Sequence, residues 1–239
     1  MRRIPHHRQS FQNSILSGLT GAEYARFAPH LEPVSLPVGK VLVEAGGAIT
    51  HAYFLNSGMA SVVATLRNGE TLEVGVIGSE GVADVNALLG CKINLNRVIV
   101  QVAMTGARIK AGILMRLYVD SARELRATGN RYIQYRLNQV SQSALCNHAH
   151  EIEERLARWL LTTADTIGKD QFELTHEFLS QMLGARRSSV TLAAGALANA
   201  GVIEYHRGRI LILKRTALQD LACECYFTLK RELAAVNES

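Results

Sequence analysis

The chain has 239 residues, 48% apolar and 20% charged, a balance that excludes a disordered or fibrous protein. No apolar run approaches the roughly 20 residues that cross a bilayer. The basic start "MRRIPHHRQSFQNS" also lacks the apolar stretch of a secretory signal, so a cytoplasmic protein with no membrane partner is expected. The net charge of +5 is modest but concentrated: between positions 186 and 215, Arg186, Arg187, Arg207, Arg209, Lys214 and Arg215 face Glu204 alone. Such a concentration is the electrostatic footprint of a phosphate-binding surface.

From Asn13 to Leu31, Ile15, Leu19, Phe27 and Leu31 keep helical spacing while Gly18 and Gly21 interrupt it, which predicts two short helices. From Val34 to about Ala107 the texture turns to short β-branched runs: "KVLVEAG", "AYFLNSG", "ASVVATLRNG", "TLEVGVIG" and "RVIVQVA". The first four each end at a glycine or an Asn-Gly turn, as the strands of a small antiparallel β-domain do. Asn68-Gly69 is the clearest hairpin turn.

Helical texture returns after Gly112. Between Arg131 and Ala149 there is no Gly or Pro, and Ile133, Leu137, Val140 and Ala144 repeat at four, three and four. A seam this thin predicts a dimer contact over about 131–149. Ile152, Leu156, Trp159 and Leu160 mark the next helix, stopped at Gly168. The domain boundary is therefore expected near residues 147 to 151.

Thr175 reads as an N-cap with Glu177 in the first turn, and Phe178, Met182 and Leu183 give an inner face. Gly184 permits a turn. A second helix follows from about Arg187 to Ala200, with Val190, Ala194 and Leu197 inward and Arg187, Ser188, Thr191 and Gly195 outward. This is a helix-turn-helix pattern. Its second helix is slim enough for a major groove, where the first residues reach base edges. "GVIEYHRGRILILKR" then reads as two strands about Arg207-Gly208, a wing carrying Arg207 and Arg209 to phosphates. The candidate DNA-binding set is Thr175, Arg186, Arg187, Ser188, Ser189, Thr191, Arg207 and Arg209.

Cys91, Cys146, Cys223 and Cys225 are scattered apart from one C-x-C pair, so reduced thiols and no metal site are expected. In "CNHAH", Cys146 and His150 share a helical face from which His148 is displaced. No P-loop, G-x-S-x-G or H-E-x-x-H motif occurs, and no enzyme is expected.

With "LTHEFLSQMLGARRSSVT", its wing, "EERLARWLL" and the glycine-punctuated strands "PVGKVLVEAGGAITHAYFLNSGMASVVA", the chain resembles the Crp/Fnr family of bacterial transcription regulators over nearly all its length. The resemblance implies an α+β fold: an N-terminal antiparallel β-roll of the double-stranded β-helix or jelly-roll type, a long dimerisation helix, and a C-terminal winged helix-turn-helix. It implies domains at 12–147 and 148–220, with a tail helix at 221–239. It further implies a homodimer on a palindromic double-stranded DNA operator, an effector acting through the β-roll, and RNA polymerase as partner of an activator.

The implied effector pocket falls at Glu80, Gly81, Arg97 and Ser141. Cyclic-nucleotide-binding members carry a Gly-Glu pair and an Arg followed by a small hydroxyl residue. Here Val82 follows Gly81 and Val98 follows Arg97, so cyclic AMP is not expected as the effector. Iron–sulfur members carry N-terminal cysteines, and none precedes Cys91. No cofactor is expected, and the effector is left unidentified. In the recognition helix Arg187 matches the family's first base-reading arginine, Ser188 stands at its glutamate, Leu192 at its second arginine, and Arg186 at a capping serine. The alternative is a cyclic-nucleotide-type module acting on a protein partner, which would need no recognition helix.

Overall fold

The computed structural model describes residues 12–120 and 124–238; the basic N-terminal stretch lies mostly outside them. Two short helices come first, α1 (Ser14–Ser17) and α2 (Gly21–Phe27), the second closed by a Thr20/Glu23 capping box. Asn13 is fully buried, its Nδ2 donating to the carbonyls of Leu55 (3.1 Å) and Gly81 (2.6 Å). The entering chain is thereby tied to the roll that follows.

That roll comprises β1 (Glu32–Leu36), β2 (Val41–Val43), β3 (Gly47–Ala48), β4 (His51–Thr65), β5 (Thr71–Ile77), β6 (Val82–Ala83), β7 (Ile93–Asn94) and β8 (Arg97–Lys110). The main sheet runs β1-β8-β4-β5, with β2 on β8 and β6 on β4, and β3 pairs with β7; every pairing is antiparallel. "AYFLNSG" and "ASVVATLRNG" are not two strands: β4 passes through Gly58 without ending. Gly58 has φ +82°, and a Cβ there would overlap the Ala103 carbonyl, so it makes an irregularity in the β4–β8 ladder. The Asn68-Gly69 turn joins β4 to β5, with Thr65 paired to Thr71.

After α3 (Ala111–Val119) comes α4 (Glu124–Ala149), which begins seven residues before the expected Arg131. Gly129 does not interrupt it. The ring of Tyr118 packs on this position, where a Cβ would lie 2.5 Å from Cε2. The helix carries two heptad stripes. Leu125, Gly129, Tyr132, Arg136, Gln139, Ser143 and Cys146, spaced four and three, are the buried face. Tyr132 fills the space above Gly81, where any Cβ would overlap its ring, and donates to the Val82 carbonyl (3.2 Å). Arg136 donates to the Val76 carbonyl (2.7 Å). On the other stripe Leu137 and Val140 are 60% and 42% exposed and Ala144 is exposed, while Ile133 partly packs on the roll core.

The remainder is α5 (Ile152–Ile167), β9 (Gln171–Glu173), α6 (His176–Leu183), α7 (Arg187–Asn199), β10 (Ile203–His206), β11 (Arg209–Ile212), α8 (Arg215–Leu221) and α9 (Cys225–Glu238). Gly168 caps α5 in the left-handed region. Its second hydrophobic cluster centres on Leu156, Leu160, Leu179, Val190, Leu197 and Ile210, with Val63 of β4 joining it. The expected C-terminal tail helix lies along α4, where Asn138 donates to Glu232 (2.7 Å). No helix among the described residues is long and apolar enough to cross a membrane.

Roll and C-terminal half touch at β5. Trp159 Nε1 donates to Glu73 (2.9 Å), Ser61 donates to the same carboxyl (2.6 Å), and Thr71 donates to the Gln181 carbonyl (3.3 Å). Desolvation pushes the Glu73 carboxyl above its ordinary 4.5, outweighing these bonds and the nearby Arg158 and Arg136 charges. A raised folded-state value means the native state binds this proton more tightly than the unfolded chain, so stability is lost as pH rises through that value. Glu73→Gln keeps an acceptor for Trp159 and removes the titration. Its melting temperature should therefore gain on the wild type as pH rises from 4 to 8, by calorimetry; a gap that shrinks over that range would contradict the account.

Candidate nucleic-acid interface

Thr175 caps α6, its hydroxyl accepting from Phe178 N (3.1 Å), and Glu177 lies in the first turn. The inner face is Leu179, Met182 and Leu183. Phe178 is only partly buried; the i, i+3, i+4 set starting at Leu179 is the better reading of the sequence. Gly184 ends the helix with φ +56° and lies against Leu72 of β5, 2.8 Å from where its Cβ would be. Any side chain there would be strained by φ and crowded by Leu72 together.

Arg186 occupies the extended N-cap position of α7 without a side-chain cap. Val190, Ala193, Ala194 and Leu197 anchor the helix, leaving Arg186, Arg187, Ser188, Thr191 and Leu192 exposed, with Ser189 and Gly195 half-buried. Arg187 approaches Glu177 only to 3.9 Å, with both side chains largely in solvent. A pair this long and exposed is worth little, which leaves the guanidinium available. The Thr191 hydroxyl is already engaged, donating to the Arg187 carbonyl (2.9 Å) and lying 3.1 Å from His176 Nδ1.

His176, which sequence reasoning passed over, stacks on Tyr205 of β10 with centroids 4.2 Å apart and planes at 15°. Desolvation first, then the Arg187 charge, lowers its pKa, keeping the ring neutral beside the cationic helix. The stack joins α6 to the wing.

β10 and β11 pair antiparallel, His206 opposite Arg209, and β9 adds a third strand. β9 is three residues long, too short for an alternation signal. At the wing tip Arg207 (φ +48°) and Gly208 (φ +79°) both take positive φ, the two-residue hairpin geometry that Gly favours and Arg tolerates poorly. Leu174 N donates to the Gly208 carbonyl (2.6 Å), which holds the tip beside the Thr175 cap. A groove of about 770 Å³ lies here, lined in part by Thr175, Arg207 and Arg209. Arg207 and Arg209 are exposed. Arg215 is not free: it pairs with Asp165 and, at 2.6 Å, with Asp170, so it leaves the expected cationic set.

The Crp-like helix-turn-helix domain matches residues 154–221, the segment holding this helix pair and wing. The matched segment is therefore a Crp-like helix-turn-helix domain. FixK2 from Bradyrhizobium japonicum superposes with a TM-score of 0.69 at 14% identity, over 81% of this chain and 98% of that one. CLP, the c-di-GMP responsive global regulator of Xanthomonas campestris, gives 0.67 at 16%, over 81% and 99%. A Crp/Fnr-family transcriptional regulator from Thermus thermophilus gives 0.64 at 23%, over 80% and 98%. At these identities the likeness is one of fold. No curated protein sequence matches the chain significantly.

The residues expected at the effector pocket, Glu80, Gly81, Arg97 and Ser141, have these surroundings. Glu80 turns back to accept from Gly78 N (2.9 Å), and Gly81 is covered by Tyr132. Arg97 pairs with Glu44 (3.3 Å) and lies opposite Val63, nine residues along β4 from Phe54, which pairs with Val82. Ser141 is exposed on α4.

The cysteines do not stay scattered. The Sγ atoms of Cys146, Cys223 and Cys225 and a ring nitrogen of His150 all lie within 4.8 Å of one another. His148 is exposed and outside the group, as is Cys91. The sequence placed Cys146 and His150 on one face; the C-x-C pair that completes the cluster sits where α9 begins, Cys223 just before it and Cys225 its first residue.

Proposed function

We propose that the protein is a cytoplasmic homodimer that reads a palindromic operator with two copies of α7, in a regulatory and not a catalytic role. The domains are a sensor over 12–147, a DNA-binding unit over 148–220 and a tail over 221–239. The observation that carries this reading is the pairing of an open cationic helix start (Arg186, Arg187, Ser188, Ser189) with a wing tip presenting Arg207 and Arg209. Arg187 takes a base edge, while Thr175 and the wing arginines take phosphates. The exposed Leu137/Val140/Ala144 stripe supports pairing of α4 with its copy. An effector in the roll acts through β5, whose Leu72, Thr71 and Glu73 touch the helix-turn-helix at Gly184, Gln181 and Trp159.

The test is recovery of genomic fragments by the purified protein, followed by sequencing. The expected result is an inverted repeat with half-site centres about 34 Å apart, one helical turn, on one face of the duplex. Retention of DNA without any two-fold motif would contradict it.

A further inference from the structure

We propose that Cys146, His150, Cys223 and Cys225 hold one zinc ion in a tetrahedral Cys3His site. Zinc bonds of about 2.3 Å to sulfur and 2.0–2.1 Å to nitrogen place tetrahedral ligands about 3.8 Å apart (S to S) and about 3.6 Å apart (S to N). Here Cys146 Sγ and Cys223 Sγ are 3.5 Å apart, and Cys225 Sγ is 3.6 Å from His150 Nδ1. The four thiols of the chain are free. The three in the cluster are buried, as the soft ligands of a structural zinc site are. A polynuclear iron–sulfur cluster interposes metal and sulfide atoms between its ligands and needs them farther apart than this group allows.

The surroundings fit the same chemistry. His150 Nε2 lies 3.0 Å from the Glu224 carboxylate, so it carries the proton and leaves the Nδ1 lone pair facing Cys225. A carboxylate behind a histidine is the usual outer partner of a zinc ligand. Gln142 Nε2 donates to Cys225 Sγ (3.0 Å), the bond that a thiolate accepts best. Three thiolates around a divalent ion leave one net negative charge, and Arg155 and Arg158 of α5 supply positive field beside Cys146 and Cys223.

The site closes a long loop. Cys146 and Cys223 are 77 positions apart, and between them lies the whole helix-turn-helix and wing. The ion therefore fastens the α8–α9 turn to the last turn of α4, where the long helix gives way to α5. Loss of the ion frees the base of the DNA-binding unit.

The experiment is metal analysis of the full-length protein, expressed with zinc supplied and desalted under reducing conditions. About one zinc per chain is expected, retained by Cys91→Ser and lost from Cys146→Ser and Cys225→Ser. Glu224→Gln should keep the ion but bind it about 10–100-fold more weakly in a competition titration with a chelating dye. Should the serine variants fail to fold, metal-stripped wild-type protein is titrated with cobalt(II). Thiolate-to-cobalt charge-transfer bands with tetrahedral visible bands support the site, and the pale spectrum of an octahedral ion overturns it. Metal-free wild-type protein, zinc retained in both serine variants, or stoichiometric iron or copper in place of zinc would also overturn it.

Discussion

Replacing Leu137 and Val140 together by lysine should yield monomers in sedimentation equilibrium at protein concentrations where the wild type is a dimer. In the proposed dimer each residue would meet its copy across the α4 seam, so the double variant would bury four ammonium groups without partners. Each costs several kcal/mol. A dimer with a micromolar dissociation constant has only about 8 kcal/mol to lose. Leu137 is 60% and Val140 42% exposed in the single chain, so the stability of the monomer should move by only about 0.5 kcal/mol. Operator affinity should fall with the dimer, because the second half-site is then no longer held at the millimolar effective concentration a linked partner gives. An unchanged dimer would place the interface elsewhere.

Removing both wing arginines, Arg207→Ala with Arg209→Ala, should weaken binding to every DNA sequence alike. Their positions at and just after the hairpin tip suit phosphates and not bases. Each lost phosphate contact makes the slope of log affinity against log salt shallower by about 0.9, so four contacts per dimer should remove about 3.6. Titrations of one operator and one unrelated duplex over a salt series measure this. A loss confined to the operator would show that the wing reads sequence.

What the sequence disclosed depended on how local the signal was. Thr175, Gly184 and the Val190/Ala194/Leu197 face are set by neighbours within one or two turns, and the helix pair was legible from them. The Asn68-Gly69 hairpin and the Gly168 cap were legible for the same reason. Gly58 misled because it serves a close approach to a distant chain segment, at Ala103, and not a break. The buried stripe of α4 is partly polar, with Arg136 and Gln139 meeting the Val76 carbonyl, so hydrophobic periodicity saw only the exposed seam. Half of the Cys146/His150/Cys223/Cys225 cluster was legible, as an i, i+4 pair at the end of α4; the other half lies beyond the wing and joins it only through the tertiary fold.

Operator binding by Arg187→Ala, with every half-site position varied in turn, separates base reading from phosphate holding at the start of α7. The expected result is a loss of about 1–3 kcal/mol per half-site on the preferred sequence, with discrimination relaxed at one symmetric pair of positions and retained elsewhere. If Arg187→Ala weakens all sequences equally, the arginine pair at the start of α7 holds only phosphates, and the base-reading role is wrong.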